Sequence, residues 1–129
     1  MAQIKIYGIK DKLAPIKEQL SNTIHSCVME ALGLPEDKRA HRFISLERDD
    51  FFMPDGRTDA YTIIEISMMS GRKVETKKRL IRLLFDKIQD YVGIAYQDIE
   101  ICISESESCN WGFRGMHGDE VSLSYDIEV

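Results

Sequence analysis

A single cation stands where anion chemistry would want one. Arg72 follows an apolar run at 61–69 and precedes a stretch at 75–88 in which Leu80, Leu84 and Ile88 recur at helical spacing. A strand therefore ends, and a helix begins, around Arg72. The first N–H groups of a helix have no partners and its dipole is positive there, so an anion is favoured. Arg72 reads either as a carboxylate-binding corner or as a solvated turn residue, and an isolated Gly-Arg pair favours the second. The amino end is the next group. Residues 3–7 alternate polar and apolar, so a strand begins almost at the first residue and would anchor the α-amine in a sheet. Desolvation there lowers an amine below its ordinary value of about 8. The third group is Trp111 and Phe113, two aromatics in a glycine-rich segment at 111–120.

Other chemistries find little support. The three histidines are scattered, and neither H-E-x-x-H nor C-x-x-C occurs, so no metal site is expected. No phosphate-binding glycine loop is present, and no cofactor is expected. Cys109 has no base placed beside it by sequence. Asp49-Asp50, Asp119-Glu120 and Glu105/Glu107 read as solvated carboxylates, and Lys77-Lys78-Arg79 as the outer face of a helix. The 129 residues carry a net charge of −5, which argues against a nucleic-acid surface, as does the lack of stacking aromatics on the strand at 61–69. No apolar run approaches 18 residues and no signal-type segment opens the chain. Three cysteines without close pairing fit reduced thiols, so the expected setting is cytoplasmic, in one domain over 1–129.

The elements that position these groups follow from periodicity. Leu13, Ile16, Leu20, Ile24, Cys27 and Val28 predict a helix over about 12–32, with Asp11 a candidate N-cap, Pro15 in its first turn and Gly33 as its left-handed cap. His25 lies beside that stripe and reads as a helix-surface histidine. A second strand is predicted at 41–47, an excursion around Phe51-Phe52, and a fourth strand at 99–104. Gly33 and Gly93 share the pattern apolar-apolar-Gly-apolar followed by an aspartate, 60 positions apart. Two β-α-β units, about 1–50 and 60–104, explain this economically. The expected fold is α+β: a four-stranded sheet with two helices on one face and the units related by a pseudo-two-fold. An arm at 105–129 follows, whose last nine residues alternate like a terminal strand. The sheet's open face and the apolar tail suit contact with further copies.

The strand at the amino end, the Gly33-Leu34-Pro35-Glu36-Asp37 turn, Gly71-Arg72-x-x-Glu75-x-Lys77 and Asn110-Trp111-Gly112-Phe113 together resemble the tautomerase superfamily over nearly the whole chain. The branch they resemble most is that of malonate semialdehyde decarboxylase. The resemblance implies a homotrimer whose active site lies at the base of the first strand. It implies a catalytic amino-terminal proline exposed by loss of the initiator methionine. It also implies an arginine at the start of helix two that binds the substrate carboxylate, and an aromatic loop that excludes water. Arg72 matches that arginine, while the position two before it, often a second arginine, is Ser70. The acidic residue after helix one falls at Asp37 or Lys38; Trp111 and Phe113 match the loop. The chain departs at the catalytic position, where Met1-Ala2 stands without proline. Removal of Met1 would give Ala2 a primary amine, and retention would shift the amine by one residue. The implied activity is tautomerase-type isomerisation or lysis of a small 2-oxo or unsaturated carboxylate through the Ala2 amine and Arg72. The alternative is a catalytically silent trimer that binds a carboxylate or a partner.

Overall fold

The computed structural model describes residues 2–129. Strand β1 (Ala2–Ile9) and strand β2 (His41–Leu46) flank helix α1 (Lys17–Leu32), and strands β3 (Thr62–Met69) and β4 (Ile99–Ser106) flank helix α2 (Val74–Lys87). The sheet order is β2-β1-β3-β4, with β1 parallel to β2, β3 parallel to β4, and β1 antiparallel to β3. Parallel neighbours need a crossover, and each helix supplies one. Ile4 pairs with His41 and Thr62 with Ile99, a separation of 37 positions in both ladders (4 to 41, 62 to 99). The two expected β-α-β units are therefore present with matched register.

Alternation places Ile4 and Ile6 of β1 and Ile64, Ile66 and Met68 of β3 on the helix-covered face, where all are buried. Leu20, Ile24, Cys27 and Val28 of α1 and Leu80 and Leu84 of α2 close over them. Each fully buried Leu or Ile in this layer contributes about 1.5–3 kcal/mol relative to exposure.

Helix one begins earlier than its apolar stripe indicates. One helical turn (Lys10–Leu13) follows β1 directly, and a 3-10 turn (Ala14–Ile16) precedes α1. Pro15 lacks the N–H that an uninterrupted helix would use, which accounts for the break. Asp11 is no N-cap: Ile9 holds that position without a side-chain bond, and the Asp11 carboxylate accepts from Arg48 Nη2 at 3.1 Å. Gly33 does end α1 in the left-handed region, its N–H bonded to Met29 O.

The excursion before β3 is fastened at several points. Arg48 also pairs with Asp59, and Arg57 Nη2 donates to Glu100 Oε1 at 2.9 Å. Buried Asp98 accepts from Thr58 N at 2.8 Å and Thr58 Oγ1 at 2.6 Å. Phe52 stands clear, 94% exposed.

After β4 the chain forms a two-stranded hairpin, β5 (Gly112–Phe113) with β6 (Met116–His117). The terminal strand expected over 121–129 does not form. Alternation supplies two faces, but a strand also needs an edge to pair with. Here Val129 O accepts instead from Lys73 N at 2.9 Å and Thr76 Oγ1 at 2.8 Å, at the start of α2. The segment lies on its own chain as a strap crossing Gly71, whose φ of +140° and lack of a side chain admit Ile127. No helix among the described residues is long and apolar enough to cross a membrane.

Candidate functional site

Arg72 sits three residues past β3 and is 5% exposed, so it is not a solvated turn residue. Its Nη1 donates to Met69 O at a long 3.4 Å. Nε and Nη2 are buried with no partner among the described residues. Burial lowers its pKa from the ordinary value, against the opposing pull of Tyr125 and Glu105 nearby. Glu105 is itself bonded to Lys77 Nζ at 2.7 Å, so its charge is already shared. A buried cation with two unpartnered nitrogens is costly, and an anion that bonds to them removes that cost.

The register brings the amino end to the same place. Ala2 pairs across the sheet with Met68, which pairs in turn with Glu105. Ala2 is therefore at the Arg72 end of β3, and it is buried there. Met1, and with it the question of an amine one residue earlier, lies outside the described residues. Strand β2 begins opposite Ile4, with Ile4 N donating to Ala40 O at 2.9 Å, so the turn before β2 reaches this end too.

That turn contributes Lys38 to a cavity of about 120 Å³, lined also by Phe113, Val121, Leu123 and Tyr125. Trp111 stands behind Phe113, stacked at 5.5 Å, with its Nε1 donating to Ser106 O at 3.4 Å. Asp37 does not line the cavity; its carboxylate is mostly exposed and lies 4.0 Å from Lys38 Nζ. Ala2, Arg72, Lys38 and Phe113 are thus gathered at one end of the sheet, Trp111 supports them, and Asp37 remains outside.

Tyr125 is the site residue that sequence reasoning missed. It lines the cavity and lies near Arg72, yet the only local signal was alternation, which pointed to a strand. His25 is a second correction. It is 2% exposed rather than on the helix surface, and its Nε2 donates to Glu36 O at 2.8 Å. His41 faces it edge-on with ring centroids 6.0 Å apart and bonds through Nδ1 to Ser21 Oγ at 2.8 Å. Burial, then Arg39 and His25, bring His41 down to about 4, so it is neutral near pH 7. This pair clamps the turn that carries Lys38 onto α1. Buried Cys27 is pushed up to about 11 and remains a thiol. Among the described residues, no group of three or more His, Cys, Asp or Glu is arranged to hold a metal.

A family model described as tautomerase enzyme matches residues 38–114. The chain belongs to the tautomerase family. Two Bacillus subtilis (strain 168) relatives agree: probable tautomerase YusQ is 28% identical over 101 residues, covering 74% of this chain and 80% of the relative. Probable tautomerase YrdN is 26% identical over 101 residues, covering 74% and 78%. Among solved structures, a malonate semialdehyde decarboxylase superposes with a TM-score of 0.80 at 19% identity, covering 88% of this chain and 92% of that one. A fused 4-OT superposes with a TM-score of 0.81 at 16% identity, covering 91% and 96%. At these identities the likeness is one of fold. This tautomerase-family chain keeps the four-stranded sheet and two helices of those structures, with alanine at the second position of the chain.

Proposed function

We propose that this tautomerase-family chain isomerises or cleaves a small 2-oxo or unsaturated carboxylate. The observation that carries the reading is the buried Arg72 guanidinium, whose Nε and Nη2 have no partner among the described residues, at the end of the sheet where Ala2 begins β1. Arg72 holds the carboxylate by charge-assisted hydrogen bonds. The Ala2 amine, released by loss of Met1, carries the proton. In ketonisation the neutral amine takes the enol hydroxyl proton, the O–H electron pair closes the C2=O bond, the C=C pair goes to C3, and the ammonium so formed returns its proton to C3, which leaves the 2-oxo acid and the neutral amine. Phe113, supported by Trp111, excludes water, and Lys38 supplies a second cation where the family's branch often has an arginine at the Ser70 position. Asp37, exposed beside Lys38 and outside the cavity, is the nearest carboxylate in that turn to orient water in a hydration or decarboxylation. Solved relatives in fold include trimeric fused 4-OT proteins, which supports a homotrimer here.

The test is ketonisation of enol phenylpyruvate, followed by ultraviolet absorbance. Wild type accelerates it over buffer, and Arg72→Ala loses about a hundredfold in kcat/KM, the worth of a buried charge-assisted pair. No rate above buffer, or an unchanged Arg72→Ala, overturns the reading. A second reading rests on the absence of proline at the catalytic position: a silent trimer that binds a carboxylate without turning it over. Its signature is carboxylate binding that survives acetylation of the amine.

A further inference from the structure

We propose that the cavity at the end of the sheet away from Arg72 is a second ligand site, and that it takes a small apolar carboxylate. The two β-α-β units place it. Lys12 stands three positions past β1 as Arg72 stands three past β3, and Thr62 opens β3 as Ala2 opens β1, each pair 60 positions apart (12 to 72, 2 to 62). One step beyond the pairing of Tyr7 with Ile63, the register sets Thr62 opposite Gly8, as it sets Ala2 opposite Met68. The pseudo-two-fold therefore carries the Arg72 end of the sheet onto the end where Gly8, Lys12 and Thr62 meet. A cavity of about 180 Å³ lies there. The turn after α2 supplies Gly93 and Ile94 to it, as the turn after α1 supplies Lys38 to the other cavity.

Its walls are mostly apolar: Ile9, Leu13, Ile16, Tyr61, Val92 and Ile94. Lys12, Asp59 and Gly93 are exposed, so the cavity opens to solvent on a charged side. The carboxylates on that side are already taken. Asp59 is paired with Arg48, which also holds Asp11, and Glu47 lies 3.9 Å from Lys10. At the start of β4, Asp98 accepts from Thr58, and Glu100 from Arg57 and Tyr61. Lys12 has no ion pair or hydrogen bond among the described residues. An unpaired cation at the mouth of apolar walls suits a ligand with one negative head and an apolar body. A cavity of about 150 Å³ with such walls holds a benzene molecule, so the ring of an aromatic acid fits here. The helices also end differently. Where α1 runs regularly to Gly33, α2 widens into a π turn over Ile88–Val92, which delivers Val92 to the cavity wall. Single π turns at helices recur at functional sites.

The experiment adds benzoate, and benzamide as its neutral isostere, to the whole chain and follows assigned amide shifts in NMR spectra at both ends of the sheet. Benzoate shifts Thr62, Gly93 and Ile94 and binds there more tightly than benzamide. Lys12→Gln weakens benzoate at these amides about threefold, the worth of one exposed ion pair, and leaves benzamide unchanged. Ile16→Trp, which fills the cavity, removes the response of these amides to both compounds. Lys12 is exposed, so its variant keeps the fold even where Ile16→Trp does not. Arg72→Met leaves the responses of Thr62, Gly93 and Ile94 in place while removing any at Gly71 and Lys73, so this site stands or falls apart from the Arg72 reading. No response of Thr62, Gly93 and Ile94 in wild type overturns the inference. So does equal binding of the two compounds, unchanged benzoate or equal weakening of both in Lys12→Gln, or a full response in a folded Ile16→Trp. Loss of these responses in Arg72→Met, which would make them echoes of binding at the other end, overturns it too.

Discussion

Arg72→Met should make this protein more stable while removing its anion site. The guanidinium is 5% exposed, with one long bond of 3.4 Å to Met69 O and two nitrogens that have no partner among the described residues. At the low end of the range of about 1–3 kcal/mol for an unpartnered buried donor, the two cost about 2–3 kcal/mol together, and the single weak bond returns less than about 1 kcal/mol. Methionine keeps the apolar stem and a similar length, and it places no polar atom in the pocket. The net expectation is a gain of about 1–3 kcal/mol, in line with the behaviour of buried charges replaced by apolar groups. At this chain length about 4 °C in Tm accompanies each kcal/mol, so the melting point rises by about 4–12 °C. Urea unfolding at pH 7, read by circular dichroism, measures the free energy directly. Wild type in an acid ligand at ten times its Kd should recover about 1.4 kcal/mol of the difference, and the variant none. A loss of more than 1 kcal/mol in Arg72→Met would refute the reasoning. It would mean that the guanidinium is part of what holds the strap and not an unfilled binding group.

Two further expectations follow from other contacts. His41 is held down to about 4 by burial, against an ordinary 6.5, so the folded state binds fewer protons than the unfolded chain between those values. Its contribution is complete above pH 6.5 and is lost as pH falls towards 4; screening of a half-buried ring limits it to about 1–2 kcal/mol. Urea midpoints across that window should therefore fall with acid in wild type and fall less steeply in His41→Asn. Gly118→Ala would drive a Cβ into Ser108 O and put it 2.8 Å from the Trp111 Cβ, so the hairpin must shift at a cost of about 1–3 kcal/mol. The sole tryptophan should report this as a red-shifted emission, and unchanged fluorescence would show that the hairpin absorbs the methyl group elsewhere.

The main ladder and both long helices were legible because their signals are local. Ile4 and Ile6 alternate with polar neighbours, Leu80, Leu84 and Ile88 recur with helical period, and Gly33 can occupy a left-handed cap. What was not legible depends on partners far along the chain. Asp11 resembles an N-cap in sequence, but Arg48, 37 positions on, takes its carboxylate. His25 reads as a surface residue until the turn at Glu36 closes over it. Arg72 alone is ambiguous between solvent and site, and only its burial in the folded chain decides. The strap hides Tyr125 from sequence reasoning, since alternation cannot say whether an edge will accept the strand.

The matched register of the two units also sets the order in which the chain closes. Each parallel ladder joins residues 37 positions apart, whereas the central ladder joins Ala2 to Met68 and Tyr7 to Ile63 across a longer stretch of chain. Loop-closure entropy therefore weighs equally on the two halves and more heavily on their union. Only that union pairs the inner edges of β1 and β3, so it is also the step that commits the apolar face of both halves to one core. Lengthening the connection between β2 and β3 would burden that last closure alone, by about 0.6 kcal/mol for each doubling of the loop. The crossovers within the halves have no such latitude, because their helices must span the sheet they cover. Variation in chain length is thus directed to the segment that displays Phe52, and away from the two that build the core.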